Sequence, residues 1–199
     1  LIGILSDENS SYMRGAARAP GLIRQALYCD SANLCSELGV DLSCHPDFVD
    51  VGDRQIAEGG ENFPVIETII DEILDHGALP LVLGGDHAIS YPVLRAIHRV
   101  NGPVNILHFD AHPDLYDNFD NNPFSHASPF ARIMENGLCK RLVQAGIRTL
   151  NPHQREQAQR FGAEVHEIKD LDIESIGRDF AGPVYISCDI DALDPAFAP

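Results

Sequence analysis

Hydrophobic positions along this chain fall into two alternating patterns, short apolar runs and longer segments with helical spacing. Apolar runs at 1–5, 104–109 and 183–188 are typical of strands that are buried on both faces of a parallel sheet. In segment 63–76 the apolar residues recur at i, i+3 and i+4, which predicts an amphipathic helix. The alternation of strands and helices predicts an α/β fold with a mostly parallel open sheet and helices on both faces.

The remaining elements are assigned from shorter runs and from residues that begin or end helices. Pro20 fits the first turn of a helix, where its missing N–H does no harm, and Gly162 fits just past the end of another helix. The predicted strands occupy, in chain order, 1–5, 48–51, 79–83, 104–109, 141–146, 163–168 and 183–188. The predicted helices begin near 19 and span 63–76, 90–100, 129–135, 151–162 and 171–180.

Three of the predicted strands end in residues that commonly bind metal ions. The candidate ligands at these ends are, in chain order, His87, then Asp110, His112 and Asp114, then Asp189 and Asp191. Side chains alternate faces along a strand, so a strand that continued past residue 109 would place Asp110, His112 and Asp114 on one side. Sites in open α/β sheets form at the carboxyl ends of strands, so we expect all six side chains to converge.

A cluster of four aspartates and two histidines needs positive charge to be stable. Crowded carboxylates repel each other and lose hydration unless a cation offsets their charge. One divalent ion would have too many carboxylates, so the cluster predicts two cations with shared, bridging carboxylates. Oxygen and imidazole ligands suit manganese, zinc or iron. Each motif alone is weak, because an aspartate at a strand end is often a helix cap, but three such strand ends together favour a metal site.

Two residues beside the candidate ligands have simpler interpretations. Asp86 adjoins His87 in sequence but should diverge from it, and we interpret Asp86 as a cap for backbone N–H groups. His108 lies within the strand two residues before Asp110, where it either faces the site or lies in the core. We interpret His108 as a hydrogen-bonded core histidine.

Composition narrows the class of protein. The 199 residues are 44% hydrophobic and 22% charged, as expected for one globular domain over 1–199. A net charge of -16 disfavours nucleic acid as a partner and is compatible with a cationic substrate. No apolar run reaches the roughly 20 residues that cross a membrane, so no membrane partner is expected. Five cysteines without a Cys-x-x-Cys motif favour a reducing intracellular compartment, for which we take the cytoplasm.

The three ligand-bearing motifs resemble the signatures of the ureohydrolase family, which comprises arginases, agmatinases and their relatives. The matching segments read GGDH at 84–87, DAHPD at 110–114 and SCDIDALDP at 187–195. The resemblance covers nearly the whole chain, and further segments make it closest to the plant-type arginases. These are NSSY at 9–12, DVGD at 50–53, Tyr116, and SHASPFARIM at 125–134.

The resemblance implies a three-layer α/β/α domain that binds two Mn²⁺ ions. One manganese site would comprise His87, Asp110, Asp114 and Asp189. The other would comprise His112, Asp110, Asp189 and Asp191, with Asp110 and Asp189 as the bridging carboxylates. Family members continue past the position of residue 199 with a further strand, which lies between the strand before His87 and the strand before Asp189. We therefore expect a domain truncated at both ends, with a sheet that lacks its C-terminal part.

The implied reaction is the hydrolysis of a guanidinium group to urea and an amine. Water activated by the two cations would attack the guanidinium carbon, and Asp114 would orient that water through a hydrogen bond. His126 matches the proton shuttle of the family and would relay a proton to the leaving amine, although a loop histidine that caps a turn is the alternative. L-arginine, giving ornithine, is the expected substrate, and agmatine, giving putrescine, is the alternative.

Other assignments follow from the resemblance or remain open beside it. Segments 115–128 and 146–149 would select the substrate, although no single residue is assigned to bind it, and the acidic residue that binds the guanidinium in the family is absent from this chain. A homotrimer or homohexamer is expected. Two less favoured functions are a deacetylase with a single zinc ion on the same fold and an inactive relative that serves in binding or assembly.

Overall fold

The computed structural model describes residues 1–59, 62–177 and 179–198. Within these residues seven strands form two sheets, and the strands are β1 (Ile2–Leu5), β2 (Asp53–Gln55), β3 (Val82–Leu83), β4 (Val104–Phe109), β5 (Cys139–Ile147), β6 (Glu164–Glu167) and β7 (Val184–Cys188). The first sheet has the order β2-β1-β3 and the second has the order β6-β5-β4-β7. Every pairing between these strands is parallel, as the sequence predicts.

Five α-helices lie between the strands of the described chain: α1 (Ala19–Leu27), α2 (Asn62–Asp75), α3 (Ser90–Asn101), α4 (Pro129–Glu135) and α5 (Pro152–Phe161). Helix α5 begins and ends at residues that are typical of helix ends. The Asn151 side chain accepts a hydrogen bond of 2.9 Å from the Gln154 backbone N–H, and Gly162 adopts a φ of 65° just past the helix. The predictions of α2, α3 and α4 are confirmed, each bound lying within one residue of the predicted one.

One hydrophobic core lies between the first sheet and helices α2 and α3. Ile2 and Ile4 of β1 are buried there against Ile66 of α2. Gly3 faces the opposite side of the sheet, where a Cβ atom on Gly3 would lie 2.7 Å from the Cβ of Pro20 in α1. The first sheet therefore carries helices on both faces, as predicted.

The second core lies between the second sheet and helices α3, α4 and α5. Phe130 of α4 is completely buried there with Ile106 of β4, Leu142 of β5 and Ala158 of α5. β4 lies between β5 and β7 in the sheet, which explains why its sequence reads as a nearly continuous apolar run.

The predicted strand at 48–51 is wrong. The strand that pairs with β1 is β2, and segment 48–51 only approaches the start of β1, where the Val51 N–H donates to the Leu1 carbonyl over 3.0 Å. Val49 and Val51 are 60% and 41% exposed, so their apolar side chains do not belong to a core. β2 is an edge strand of exposed polar residues, and such a strand has no hydrophobic pattern by which to predict it.

The predicted helix at 171–180 is also wrong in its described part; residue 178 lies outside the described residues. The segment contains only a short 3₁₀ turn, Ile173–Ser175. Ile173 is 68% exposed, so a helix here would bury little apolar surface to stabilise it. Gly177 has a φ of 68°, which is incompatible with a continuing right-handed helix.

The mostly parallel sheet predicted from the sequence is confirmed, and its described strands fall into two parts, separated between β3 and β7, where the resemblance places a further strand. Among the described strands, β3 pairs only with β1 and β7 pairs only with β4, so each has one unpaired edge. Leu81 and Ile186, on or beside these strands, are 57% and 64% exposed. A contact of 2.8 Å between His87 Nε2 and Ser187 Oγ links the segment after β3 to β7. No helix in the described ranges is long and apolar enough to cross a membrane.

Candidate metal centre

The candidate ligands lie at the carboxyl ends of β3, β4 and β7. His87 begins a 3₁₀ turn, His87–Ile89, soon after β3, while Asp110 and Asp189 directly follow β4 and β7. Gly85 allows the first of these segments to approach the end of β1, because a Cβ atom on Gly85 would lie 1.8 Å from the Ser6 carbonyl oxygen. The sequence therefore needs a glycine at position 85 to place His87 beside the other two strand ends.

Asp86 caps the turn that carries His87, as predicted. Its Oδ1 accepts a hydrogen bond of 3.1 Å from the Ala88 backbone N–H, and its Oδ2 accepts one of 2.9 Å from the Asn9 backbone N–H. Burial raises the pKa of Asp86 to about 6, although both hydrogen bonds favour its charged form. Asp86 thus joins the loop after β1 to the turn of His87.

In two places an imidazole nitrogen lies close to several carboxylate oxygens, and the first of these is at His87. Its Nδ1 lies 3.2 Å from Asp110 Oδ2, 3.0 Å from Asp114 Oδ2 and 3.6 Å from Asp189 Oδ2. This Nδ1 is buried and makes no hydrogen bond of acceptable geometry within the described residues. When Nε2 donates to the Ser187 hydroxyl, the Nδ1 lone pair faces the carboxylates, an arrangement that a cation between them would satisfy.

The second place shares Asp110 with the first. His112 Nδ1 lies 3.1 Å from Asp191 Oδ2 and 3.4 Å from Asp110 Oδ1. One ligand atom from each of these three residues lies within 4.8 Å of the other two. Asp110 therefore presents one carboxylate oxygen to His87 and the other to His112, as a carboxylate that bridges two cations would do. The donor set of carboxylates and imidazoles fits a pair of divalent cations.

Tight backbone turns, and not a continued strand, bring these side chains together. β4 ends at Phe109, and the His112 N–H donates to Asp110 Oδ1 over 2.6 Å. Asp114 has a φ of 50°, in the left-handed region that few non-glycine residues adopt and that aspartate tolerates better than most. The Ala111 N–H donates to Asp191 Oδ1 over 3.1 Å, which ties the turn after β4 to the turn after β7. The continued strand assumed for Asp110, His112 and Asp114 is absent from this described segment, but their side chains still converge.

Burial and proximity shift the pKa of several groups in opposite directions. Burial raises the pKa of Asp114 to about 7. Burial would also raise the pKa of Asp110, but hydrogen bonds from the neighbouring histidines hold it below its usual range. Hydrogen bonds to Asp110 and Asp191 raise the pKa of His112 to about 10. A protonated His112 thus balances part of the carboxylate charge, and a divalent cation would take the place of its proton on binding.

His126 lies in the wall of a cleft of about 440 Å³ beside these residues. Its Nε2 lies 2.8 Å from Ser11 Oγ, and its backbone N–H donates to the Asn9 carbonyl over 3.1 Å. Burial lowers the pKa of His126, and positive charge on His87 and His112 lowers this pKa further. Candidate ligands that line the same cleft are His112, Asp114, Asp189 and Asp191.

Three residues of the cleft wall, Ser11, Asn151 and Gln154, lie outside the candidate ligands and the segments 115–128 and 146–149 that were predicted to select the substrate. Asn151 Nδ2 donates to the Tyr116 hydroxyl over 2.5 Å, and both residues line the cleft. The sequence Asn151-Pro152 predicted only the other role of Asn151, as the cap of α5. Further lining residues are Ser11, Phe119, Ala127, Thr149 and Gln154. Because the residues that line the cleft come from four segments far apart in sequence, no local pattern groups them.

His108 is a hydrogen-bonded core histidine, as predicted. It is 0% exposed, and its Nε2 lies 2.8 Å from Asp110 Oδ2. Its ring stacks on Phe130 with 4.0 Å between ring centroids. Burial lowers the pKa of His108 to about 4, which keeps the ring neutral at physiological pH.

Comparison with known proteins agrees with this geometry. The chain matches the Arginase family over residues 1–199. "Arginase 1, mitochondrial" of Arabidopsis thaliana is 46% identical over 215 residues, covering 100% of this chain and 63% of that protein. The structure of arginase from Medicago truncatula superposes with a TM-score of 0.92 at 43% identity, covering 100% of this chain and 67% of that chain.

A second solved structure widens the comparison. Agmatine ureohydrolase of Thermoplasma volcanium superposes with a TM-score of 0.81 at 28% identity, covering 100% of this chain and 68% of that chain. The chain spans about 63% of the length of the Arabidopsis relative. Sequence and fold agree over the full chain, and this chain therefore belongs to the Arginase family.

Proposed function

We propose that this chain forms the metal centre of a binuclear manganese hydrolase that cleaves a guanidinium group to urea and an amine. The observation that supports this most is the position of Asp110, whose two oxygens lie 3.2 Å from His87 Nδ1 and 3.4 Å from His112 Nδ1. In the proposal Asp110 and Asp189 would be the carboxylates that the two ions share. The complete ligand set is His87, Asp110, His112, Asp114, Asp189 and Asp191.

The residues of the cleft would divide the chemistry among them. The bound cations supply positive charge that lowers the pKa of a water molecule from about 15.7 toward neutrality. Asp114 accepts a hydrogen bond from the attacking water and orients it toward the guanidinium carbon. His126, in the cleft wall, gives a proton to the leaving amine, and its lowered pKa makes the protonated ring a stronger acid. Carboxylates around the cleft attract the cationic substrate.

L-arginine is the proposed substrate, because the Arabidopsis relative that matches the whole chain is named an arginase. Agmatine is the second candidate, and one observation favours it. None of the cleft-lining residues in the described part of the chain is lysine or arginine. The α-carboxylate of arginine would therefore rely on neutral donors such as Ser11, Tyr116 and Asn151, whereas agmatine has no carboxylate to bind.

A urea-release assay of the full-length protein, with arginine and agmatine side by side, tests both parts of the proposal. We expect urea release that requires Mn²⁺, a higher kcat/KM for arginine, and two metal ions per chain by elemental analysis. One zinc ion per chain without urea release would favour the single-zinc deacetylase. Absence of both metal and turnover would favour a relative that acts in binding or assembly.

The proposal extends to assembly and compartment. We propose a homotrimer or homohexamer, which sedimentation equilibrium of the full-length protein would test. All five cysteines are free, and free thiols are typical of a reducing intracellular compartment. The name of the Arabidopsis relative includes the word mitochondrial, so the mitochondrion is the compartment to compare with the cytoplasm by fractionation.

A further inference from the structure

Two buried residues behind the candidate ligands form a chain of hydrogen bonds that ends on Asp110. His108 of β4 and Gln144 of β5 are paired across the sheet and are each 0% exposed. Gln144 Nε2 lies 2.6 Å from the Pro113 carbonyl oxygen and 2.9 Å from His108 Nδ1. His108 Nε2 in turn lies 2.8 Å from Asp110 Oδ2.

The Pro113 carbonyl fixes the direction of every hydrogen bond in this chain. A carbonyl oxygen can only accept, so Gln144 must present its NH₂ group to Pro113. The second N–H of the same nitrogen then donates to His108 Nδ1, which must carry a lone pair. The ring proton of His108 therefore lies on Nε2, from which it donates to the Asp110 carboxylate.

Two alternative arrangements, a reversed Gln144 amide and a doubly protonated His108, would each place two acceptors or two donors against each other. With the amide reversed, Gln144 Oε1 would face the Pro113 oxygen, and His108 Nε2 would meet Asp110 Oδ2 without a proton between them. A doubly protonated His108 would set its Nδ1–H against the N–H of Gln144. In the observed orientation Gln144 Oε1 is buried without a hydrogen-bond partner in the described part of the chain. The Gln144 NH₂ group thus donates to both the Pro113 carbonyl and His108 Nδ1, while Gln144 Oε1 accepts no hydrogen bond from the described residues.

We propose that Gln144 and His108 are positioning residues that orient the Asp110 carboxylate for metal binding, an inference that rests on the proposed function. The oxygen that accepts from His108 is Oδ2, which also lies 3.2 Å from His87 Nδ1. When this hydrogen bond holds Oδ2 in place, Oδ1 of the same carboxylate is directed at His112. One hydrogen bond thus orients both oxygens of Asp110. Polar partners of metal-binding side chains orient those side chains and strengthen metal binding.

Mn²⁺ titration of the metal-depleted full-length protein by calorimetry tests this assignment. Gln144→Met keeps the side-chain size and removes both donors, and we expect at least one Mn²⁺ dissociation constant to rise about tenfold or more. His108→Gln retains an N–H for Asp110, so it should bind Mn²⁺ more tightly than His108→Leu. Electron paramagnetic resonance should show a coupled ion pair in the wild type and isolated Mn²⁺ in Gln144→Met.

Asn105→Leu is the matched control. Asn105 is a buried amide on β4, the strand of His108, but it lies at the end of β4 far from Asp110. Its Nδ2 donates to the Ala181 and Pro183 carbonyls over 3.0 and 3.3 Å. We expect this variant to melt at a lower temperature and to bind Mn²⁺ with wild-type constants. A structural effect alone would lower the melting temperature of all variants without separating their Mn²⁺ constants.

The outcomes separate this inference from the function on which it rests. Two Mn²⁺ ions in the wild type, together with wild-type constants in Gln144→Met and equal constants in the two His108 variants, would overturn the positioning role alone. Fewer than two Mn²⁺ ions in the wild type would overturn the proposed function, and this inference with it. If Gln144→Met fails to fold, the comparison of His108→Gln with His108→Leu decides.

Discussion

His126 is the residue whose proposed chemistry can be separated from metal binding. Its hydrogen bonds are made with Ser11 and Asn9, which are not candidate ligands. We expect His126→Gln to lower kcat for urea release by about 10²- to 10⁴-fold, the usual contribution of a positioned acid, with a small change in KM. Elemental analysis should still find two metal ions per chain. A variant that loses its metal would instead place His126 among the ligands.

Phe130 joins the second core to the candidate metal centre by packing. It is 0% exposed, and its ring packs on His108 at 4.0 Å and on His87 at 5.3 Å between ring centroids. Phe130→Ala should lower the free energy of unfolding by about 3 to 5 kcal/mol, because it leaves a cavity in a packed core. Denaturant unfolding measures this loss. Phe197→Ala is the control, since Phe197 is 84% exposed and should change stability by less than about 0.5 kcal/mol.

The candidate ligands could be proposed at the residue scale because each lies within five residues of the end of an apolar run and belongs to a residue type that binds metals. The positioning chain behind them could not. Gln144 lies in a strand whose pattern gives no reason to single out a polar residue, and its role depends on the Pro113 carbonyl, 31 positions away. The convergence of Asp114 with the other candidate ligands was predicted from a continued strand, but Asp114 adopts a φ of 50°, which an alternating pattern does not predict.

At the scale of secondary structure, two glycines near helices should respond to the same substitution in opposite directions. Gly162 ends α5 with a φ of 65°, so Gly162→Ala should lower the free energy of unfolding by about 1 kcal/mol. Gly21 lies inside α1, and a Cβ atom there meets only Asp53 Oδ2 at 3.8 Å. Gly21→Ala should therefore raise the free energy of unfolding by about 0.5 to 1 kcal/mol. Thermal and denaturant unfolding measure both; changes of the same sign would contradict this reading of the two helices.

Arg24 of α1 ties that helix to the segment that precedes β2. Its Nε and Nη2 each lie 2.9 Å from an oxygen of Asp50, and the hydrogen bonds from Arg24 lower the pKa of Asp50 to about 2. Because this pKa lies below the unfolded value of about 3.9, the pair stabilises the fold above pH 4, and this stabilisation is lost as the pH falls toward 2.

The test of this pair is the free energy of unfolding of Arg24→Met at several pH values. We expect the deficit relative to the wild type to be largest at pH 5 and to shrink as the pH falls from 4 toward 2. Arg54→Met is the control, because within the described ranges Arg54 donates only to backbone carbonyls at Val51 and Asp53. A deficit that does not change with pH would mean that Arg24 stabilises the fold by packing and not through the charge of Asp50.

Secondary structure was predicted where an element buries a whole apolar face and missed where it does not. Helix α2 places Ile66 and Ile70 at 0% exposure, so its spacing carries a clear signal. β2 is a polar edge strand that is held to β1 by backbone hydrogen bonds, and its side chains show no pattern that would predict this pairing. The segment around Ile173 has apolar residues but little to bury them against, so local composition predicted a helix that does not form.

At the scale of the whole molecule, the candidate metal centre lies where two sheets approach each other. β3 brings His87 from the first sheet, and β4 and β7 bring the aspartates from the second. The contact between His87 and Ser187 joins the two sides at 2.8 Å. The alternating pattern could predict parallel strands and their carboxyl-end site, but not the division into two sheets. The resemblance to the ureohydrolases did imply a further strand between β3 and β7, and that strand stays a prediction.

The edge of β7 that no described strand pairs with predicts how a polypeptide of residues 1–199 behaves by itself. Ile186 is 64% exposed on this strand, and an open edge with apolar side chains readily pairs with another chain. We expect the isolated polypeptide to self-associate, and Ile186→Lys to lower its average mass in sedimentation experiments. Ile173→Lys is the matched control, because Ile173 is 68% exposed but lies outside any strand. If both substitutions reduced association equally, general hydrophobicity and not the strand edge would be its cause.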